Sequence, residues 1–215
     1  MMNSLLEQLL LRSGAGPAAD LSDINDDVFL TVYATLGWRL RKLALAGSPE
    51  LFAALADAGL PGVDVWSVGD LGRVLALRCR LMRLADQPAA ALVERIFRTG
   101  DNGERDAMLK GLMALPMPAR FFATAADACR AAVLSTFTAI SCENAYPAHH
   151  FPDFAFRAMV LKTLHLGLPL ARIHGLAARR DAELARMGED YVSERRHAGR
   201  PVAADLTLLT EGLLP

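Results

Sequence analysis

The sequence predicts an all-α protein of one domain over residues 1–215, built as stacked helix pairs in a HEAT-like or irregular α-solenoid, with a globular helical bundle as the alternative. Three observations carry this. Hydrophobic residues make up 53% of the chain and aromatics only 7%; Ala and Leu dominate while Val and Ile are scarce, a balance that favours helix over sheet. Apolar residues recur at spacings of three and four almost everywhere, and strand alternation is almost absent. Helix start and stop signals punctuate the chain at short intervals. No fixed-period repeat accompanies them.

Leu5, Leu6, Leu9 and Leu10 give a short amphipathic first helix, ended by the SGAGP stretch at 13–17. A loop to about residue 22 follows. Acids from Asp20 to Asp27 load the start of a second helix, where they complement the macrodipole, and Phe29, Tyr33, Leu36 and Leu40 form its apolar stripe up to about Gly47. Ser48-Pro49-Glu50 opens a third helix, because the hydroxyl caps free amides and proline needs no partner in the first turn. Gly59 to Gly62 stop it. Ser67 with Asp70 reads as a capping box for a long helix through about Leu84; Pro88 starts the next, which ends at Gly100. Asp101 with Glu104 starts another to about Leu115, and 118–131 and 134–143 add two more. The helix 153–166, DFAFRAMVLKTLHL, is apolar almost all round, which predicts a central position. From Asp181 a charged helix runs to about Ala198.

Charge excludes one class of partner. The formal net charge is −1, so there is no basic field to hold a phosphate backbone, and no nucleic acid is expected. The balance is uneven: residues 1–36 carry Glu7, Asp20, Asp23, Asp26 and Asp27 against Arg12, whereas 157–200 hold nine Lys/Arg against five Asp/Glu. That asymmetry steers an anion toward the C-terminal half, or is the ordinary mark of solvated helix faces. Cys79, Cys129 and Cys142 are odd in number and lack CxxC spacing, which suits a reducing compartment. The N-terminus has no basic n-region and Glu7 interrupts its apolar stretch, so neither a signal peptide nor a transmembrane segment is expected. A cytoplasmic location follows, peripheral at the inner membrane if a partner holds the chain there.

The densest polar cluster is CENAYPAHHFPD at 142–153, read as a loop between helices because two prolines interrupt it. Cys142, Glu143, His149, His150 and Asp153 are possible zinc ligands, although their spacing matches no standard motif. The plainer reading has Glu143 and Asn144 capping helix ends while Tyr146 and Phe151 pack on the core. Cys142 beside a histidine is a conceivable nucleophile, and a buried structural thiol the plainer one. On 153–166, Arg157, Lys162 and His165 either snorkel or line a pocket. On the last long helix Glu183, Arg186, Asp190, Glu194 and His197 share one face, ordinarily a solvated stripe. Glu194 to His197 matches one Glu-x-x-His element of a di-iron bundle, but no second element accompanies it. Asp23, Asp26 and Asp27 are acids where a helix start favours them, and Gly14 and Gly16 follow no strand, so neither magnesium-phosphate nor dinucleotide chemistry is indicated. No cofactor and no metal are expected.

Two blocks, CENAYPAHHFPDFAFRAMVLKTLHLGLPLARIHGL and ELARMGEDYVSERRHAGRPV, resemble the EboA-like family of bacterial proteins, with the best cover from about 100 to 206. The wording departs at Ala145, where proline is usual, and at Arg157 and Ala158, where an Asn-Gln pair is usual. The resemblance implies a helical accessory protein of a gene cluster, beside a UbiA-like membrane prenyltransferase and metabolic enzymes, in the export or delivery of secondary-metabolite precursors. The family's characteristic polar positions fall here on Glu143, Asn144, Tyr146, Lys162, Asp190, Tyr191, Glu194, Arg195, Arg196 and Arg200. With His149 and His150 they make a candidate ligand pocket where the YPAHHF loop meets the ERRHAGR end. The leading expectation is a non-catalytic binding or scaffold protein, with other proteins of its pathway as partners and a small-molecule ligand. An enzyme on a prenylated or phosphorylated small molecule is the alternative, using Lys162 with Arg195 or Arg196 for an anion and His149, His150 or Asp190 for protons. A dimeric interaction module without ligand is a third.

Overall fold

Local capping chemistry sets the observed elements. The computed structural model describes residues 1–14, 21, 24–40, 43–202 and 204–210; Asp20 and Asp23 of the acidic helix start, and 15–17 of the SGAGP stretch, lie outside them. Among the described residues there is no strand: the elements are α1 (Met2–Arg12), α2 (Asp26–Leu40), α3 (Pro49–Asp57), α4 (Val68–Leu81), α5 (Asp86–Thr99), α6 (Asn102–Lys110), α7 (Phe122–Arg130), α8 (Leu134–Ser141), α9 (Tyr146–His150), α10 (Asp153–His165), α11 (Leu176–Arg179), α12 (Ala182–His197) and α13 (Thr207–Thr210), with five short 3-10 turns. The protein is all-α. It divides into two compact units, 1–140 and 141–215.

The signals at helix starts act as expected. Ser48 Oγ accepts from the Leu51 N–H at 3.3 Å. Ser67 and Asp70 exchange two bonds of 3.0 Å, the reciprocal capping box. Asp101 accepts from the Glu104 N–H at 2.8 Å, and Asp181 from that of Leu184 at 2.8 Å. Three boundaries differ. The α5 helix begins at Asp86, so Pro88 sits inside its first turn, where proline is tolerated. The α6 helix stops at Lys110 and tightens into a 3-10 turn at Leu112–Ala114. And 146–150, expected as loop, is the short helix α9, with Pro147 in its first turn.

In the first unit α4 is the central element, packed against α1, α2 and α6 and buried at ten of its positions. Glycines permit this crowding. A Cβ at Gly69 would lie 3.2 Å from the Gly37 Cα, so α2 and α4 meet almost backbone to backbone. Arg73, only 7% exposed, lies over α2 and donates to the carbonyls of Tyr33 at 3.2 Å and Ala34 at 3.1 Å. Its guanidinium also stands 5.7 Å from the Tyr33 ring centroid. A methyl group at Gly37 would stand 2.3 Å from the Arg73 guanidinium carbon. Gly37→Ala would gain about 1 kcal/mol of helix propensity, yet displacing a buried charge from its bonds costs about 1.5–3 kcal/mol and overpacking a similar amount. A net loss of about 1–3 kcal/mol in denaturant unfolding is expected. Unchanged stability would mean that Arg73 relocates without cost.

In the second unit, α10 corrects the expectation of an all-round buried helix. Phe156, Met159, Val160, Thr163 and Leu164 are buried on one face, while Phe154 is 70% exposed and His165 lies in solvent. Apolar residues on a helix do not determine how many neighbours it acquires, and α10 packs on one side against α12 and the 3-10 turn Leu170–Arg172.

Candidate functional site

The segment that follows α8 carries five of the twelve candidate residues, and each has a structural engagement. Glu143 adopts a left-handed backbone with φ of 48°, a rare conformation for a residue with a Cβ. A two-way lock holds it: the Glu143 N–H donates to the Arg172 carbonyl at 2.8 Å, and Arg172 returns Nε and Nη2 to the two carboxylate oxygens at 2.7 and 2.8 Å. This pairing raises the Arg172 pKa further. Asn144 is buried, and its side-chain oxygen accepts the Tyr146 N–H at 2.9 Å, which starts α9. Tyr146 is fully buried, and burial pushes its phenol above the ordinary range. Its ring lies 4.8 Å from that of His150 and 6.2 Å from that of Phe151.

Residues outside the sequence-derived set complete this cluster. Arg179 donates to the carbonyls of Ala148 at 2.6 Å and Phe151 at 2.8 Å and to Asp153 Oδ1 at 3.0 Å, with its guanidinium 4.7 Å from the Phe156 ring centroid. His174 stacks on exposed His149, ring centroids 6.5 Å apart, and His149 lies 6.4 Å from His150. Burial, then the charge of His149, lowers the pKa of both His150 and His174. The Nε2 of His150 is buried without a hydrogen-bond partner. The detectable signal was three basic side chains, Arg172, His174 and Arg179, within eight residues around an interrupted helix.

Cys142 is buried beside Ser141, with its thiol pKa raised first by burial, the reverse of what an activated nucleophile needs. Among the described residues no group of three His, Cys, Asp or Glu could hold a metal ion. Cys142, Glu143, His149, His150 and Asp153 therefore do not assemble into the ligand set that their closeness in sequence suggested.

The remaining candidates lie on α10, on α12 and just beyond it. Lys162 is half-buried on α10. On α12 the stripe is an exposed ion-pair chain, Glu183 to Arg186 at 2.8 Å and Arg186 to Asp190 at 2.7 Å, worth little in water. Arg157 pairs with Asp181 instead of lining a pocket, and this lowers the Asp181 pKa. Tyr191 is buried; its hydroxyl donates to the Leu164 carbonyl at 3.1 Å and its ring meets His165 at 5.0 Å. Arg195 lies 5.9 Å over that ring and donates to the Pro201 carbonyl at 3.1 Å, while the Arg200 N–H donates to the Arg195 carbonyl at 2.8 Å. Glu194 and Arg200 are exposed.

Arg196 opens onto a groove of about 500 Å³ at the end of α12, lined also by Glu189, Val192, Ser193, His197 and Leu206. None of Glu143, Asn144, Tyr146, His149 or His150 is among its lining residues. His197 Nδ1 lies 2.7 Å from the Ser193 carbonyl, so it carries the proton there and leaves the neutral ring's Nε2 as an acceptor. Valine and leucine walls, one guanidinium, one carboxylate and one imidazole make a surface that suits an amphipathic molecule with a charged head.

A family model described as metabolite traffic protein EboA matches residues 22–211. No curated protein and no solved structure matches the chain.

Proposed function

Because the chain belongs to the EboA family, we propose that it serves metabolite traffic by binding and presenting a small molecule, with no chemistry of its own. The groove beside Arg196 is the observation that carries this reading. It joins an apolar wall to a cation at the end of a helix that also bears Arg195 and His197 in its last turn. Polar groups that a reaction would call on are engaged elsewhere: Glu143 with Arg172, Asp190 with Arg186, Tyr191 with a carbonyl. Such engagement favours a scaffold over a catalyst. Other proteins of the same pathway, a membrane prenyltransferase among them, are the partners this role requires. Among the described residues no helix is long and apolar enough to cross a membrane. In this reading, contact with a membrane enzyme comes through docking onto that partner.

Geranyl diphosphate and inorganic pyrophosphate test the reading together. Saturable shifts of the Arg196 and His197 signals are expected with the prenylated probe, tighter than with pyrophosphate because the apolar wall adds burial. Arg196→Ala is expected to weaken binding about tenfold. Phosphorus NMR of the same sample decides against the enzyme alternative if both probes persist unchanged. Turnover of either one would reverse that conclusion, and shifts elsewhere but not at α12 would remove the groove from the proposal.

A further inference from the structure

Among the described residues, the ionisable lining of the groove beside Arg196 consists of Glu189, Arg196 and His197, with Val192 and Leu206 as its apolar part. Positions 189, 193 and 197 are spaced by four, so they follow one another along a single face of α12, with His197 in its last turn. The guanidinium is a permanent cation, and the Glu189 carboxylate cancels it in the formal sum. The sign of the groove's charge is therefore left to His197. Histidine is the side chain whose charge ordinarily changes between pH 5 and 8. Its Nδ1 lies 2.7 Å from the Ser193 carbonyl and must carry a proton in either charge state, so titration occurs at Nε2. Neutral, that nitrogen is an acceptor and opposes the oxygens of an ionised head. Protonated, it is a second charge-assisted donor beside Arg196. The C-terminal end of a helix, where unpaired carbonyls gather partial negative charge, suits this added cation and opposes an anion. Arg196 alone thus has both Glu189 and the helix end against it.

Other charged groups in the neighbourhood are engaged or exposed. On α12 Asp190 pairs with Arg186, and Arg195 lies over the Tyr191 ring and donates to the Pro201 carbonyl. Glu194 and Arg200 are exposed and opposite in charge. Of the elements packed against α12, α13 has no titratable side chain. On α10 Asp153 is paired with Arg179 and Arg157 with Asp181, His165 lies against Tyr191, and Lys162 is half-buried. Asp205, beside Leu206, accepts from the Leu170 N–H. None of these is among the described lining residues. We infer that His197 is the specificity-determining residue of the groove: its protonation turns a lining of no net charge into a cationic one that takes an alkyl chain with an anionic head. The inference rests on the groove beside Arg196 being the binding surface, and it adds the residue that sets the groove's preference.

The probe is 1-hexanesulfonate, whose charge is constant from about pH 5.5 to 8.0, whereas a phosphate head titrates in that range. Its binding to the full chain is followed by NMR at the two pH values, with hexyltrimethylammonium as the cationic control and circular dichroism to report folding. The sulfonate is expected to bind about threefold to fivefold more tightly at the lower pH, the range of one exposed charge pair. His197→Gln should lose the difference between the two pH values. His197→Lys should bind more tightly than the native chain at the higher one. Position 197 is exposed at the end of α12, so neither substitution disturbs packing. Acid unfolding would act in the opposite sense, weakening binding at the lower pH. Saturable binding of equal affinity at both pH values overturns this inference and leaves the groove as a ligand site. A pH dependence that His197→Gln retains, or an ammonium probe bound as tightly as the sulfonate at the lower pH, has the same meaning. No saturation up to about 50 mM sulfonate at either pH removes the groove itself, and this inference with it.

Discussion

Arg179→Met is expected to lower the unfolding free energy of the second unit by roughly 2–4 kcal/mol, the largest single loss at the candidate site. The side chain donates to the carbonyls of Ala148 and Phe151 and to Asp153, and covers the Phe156 ring. Hydrogen bonds from a charged donor contribute about 1.5–3 kcal/mol each when measured singly, and they are not additive. Methionine keeps the aliphatic cover and a favourable contact with the ring, so the loss isolates the guanidinium. The ion pair with Asp153, an exposed residue, adds little. Because the two carbonyls belong to α9 and to the turn that joins it to α10, faster hydrogen exchange at 147–153 should accompany the loss. Protection there as in the native protein would show that Tyr146 and Phe151 packing alone holds the segment.

What was legible in the sequence is local. The serine and aspartate caps act within three residues, and their chemistry does not depend on the rest of the chain. The central position of α4 was not legible, because it depends on Gly37 and Gly69 admitting a neighbouring backbone and on Arg73 finding carbonyls 39 and 40 residues away. The opposite error at α10 has the same origin: hydrophobicity permits burial but does not supply a neighbour, and Phe154 remains in solvent. At the candidate site Glu143, Asn144 and Tyr146 were visible as a polar cluster. Their setting was not, since Arg172 lies 29 residues from Glu143 and Arg179 lies 31 residues from Ala148. Arg196 was visible for its charge, whereas the groove beside it requires Leu206 to fold back toward α12.

Acidification from pH 7.5 to 5.5 is expected to destabilise the second unit, through His150 and His174. Both imidazoles have folded pKa values below the ordinary 6.5, from burial first and from His149 second. The sign follows from linkage: the unfolded chain binds the proton more readily, so stability is fully present above about 6.5, falls as pH drops toward the folded values, and levels off below them. The groups facing this cluster do not offset the loss. Arg172 and Arg179 are cations, Glu143 is held bidentate by Arg172, and Asp153 is bound to Arg179. The acids of this unit whose pKa values are lowered, Asp181 and Glu183, lose their contribution only below their ordinary values of 3.8 and 4.5, outside this window. Glu104, in the other unit, works in the reverse sense because its pKa is raised. A paired comparison therefore separates the contributions: His150→Phe keeps a ring against Tyr146, 4.8 Å away in the native protein, and removes one titrating group. Thermal unfolding at the two pH values should show a smaller difference in this variant, and smaller still with His174→Gln added. Equal pH dependence in native and doubly substituted proteins would place the acid sensitivity outside the three-histidine cluster.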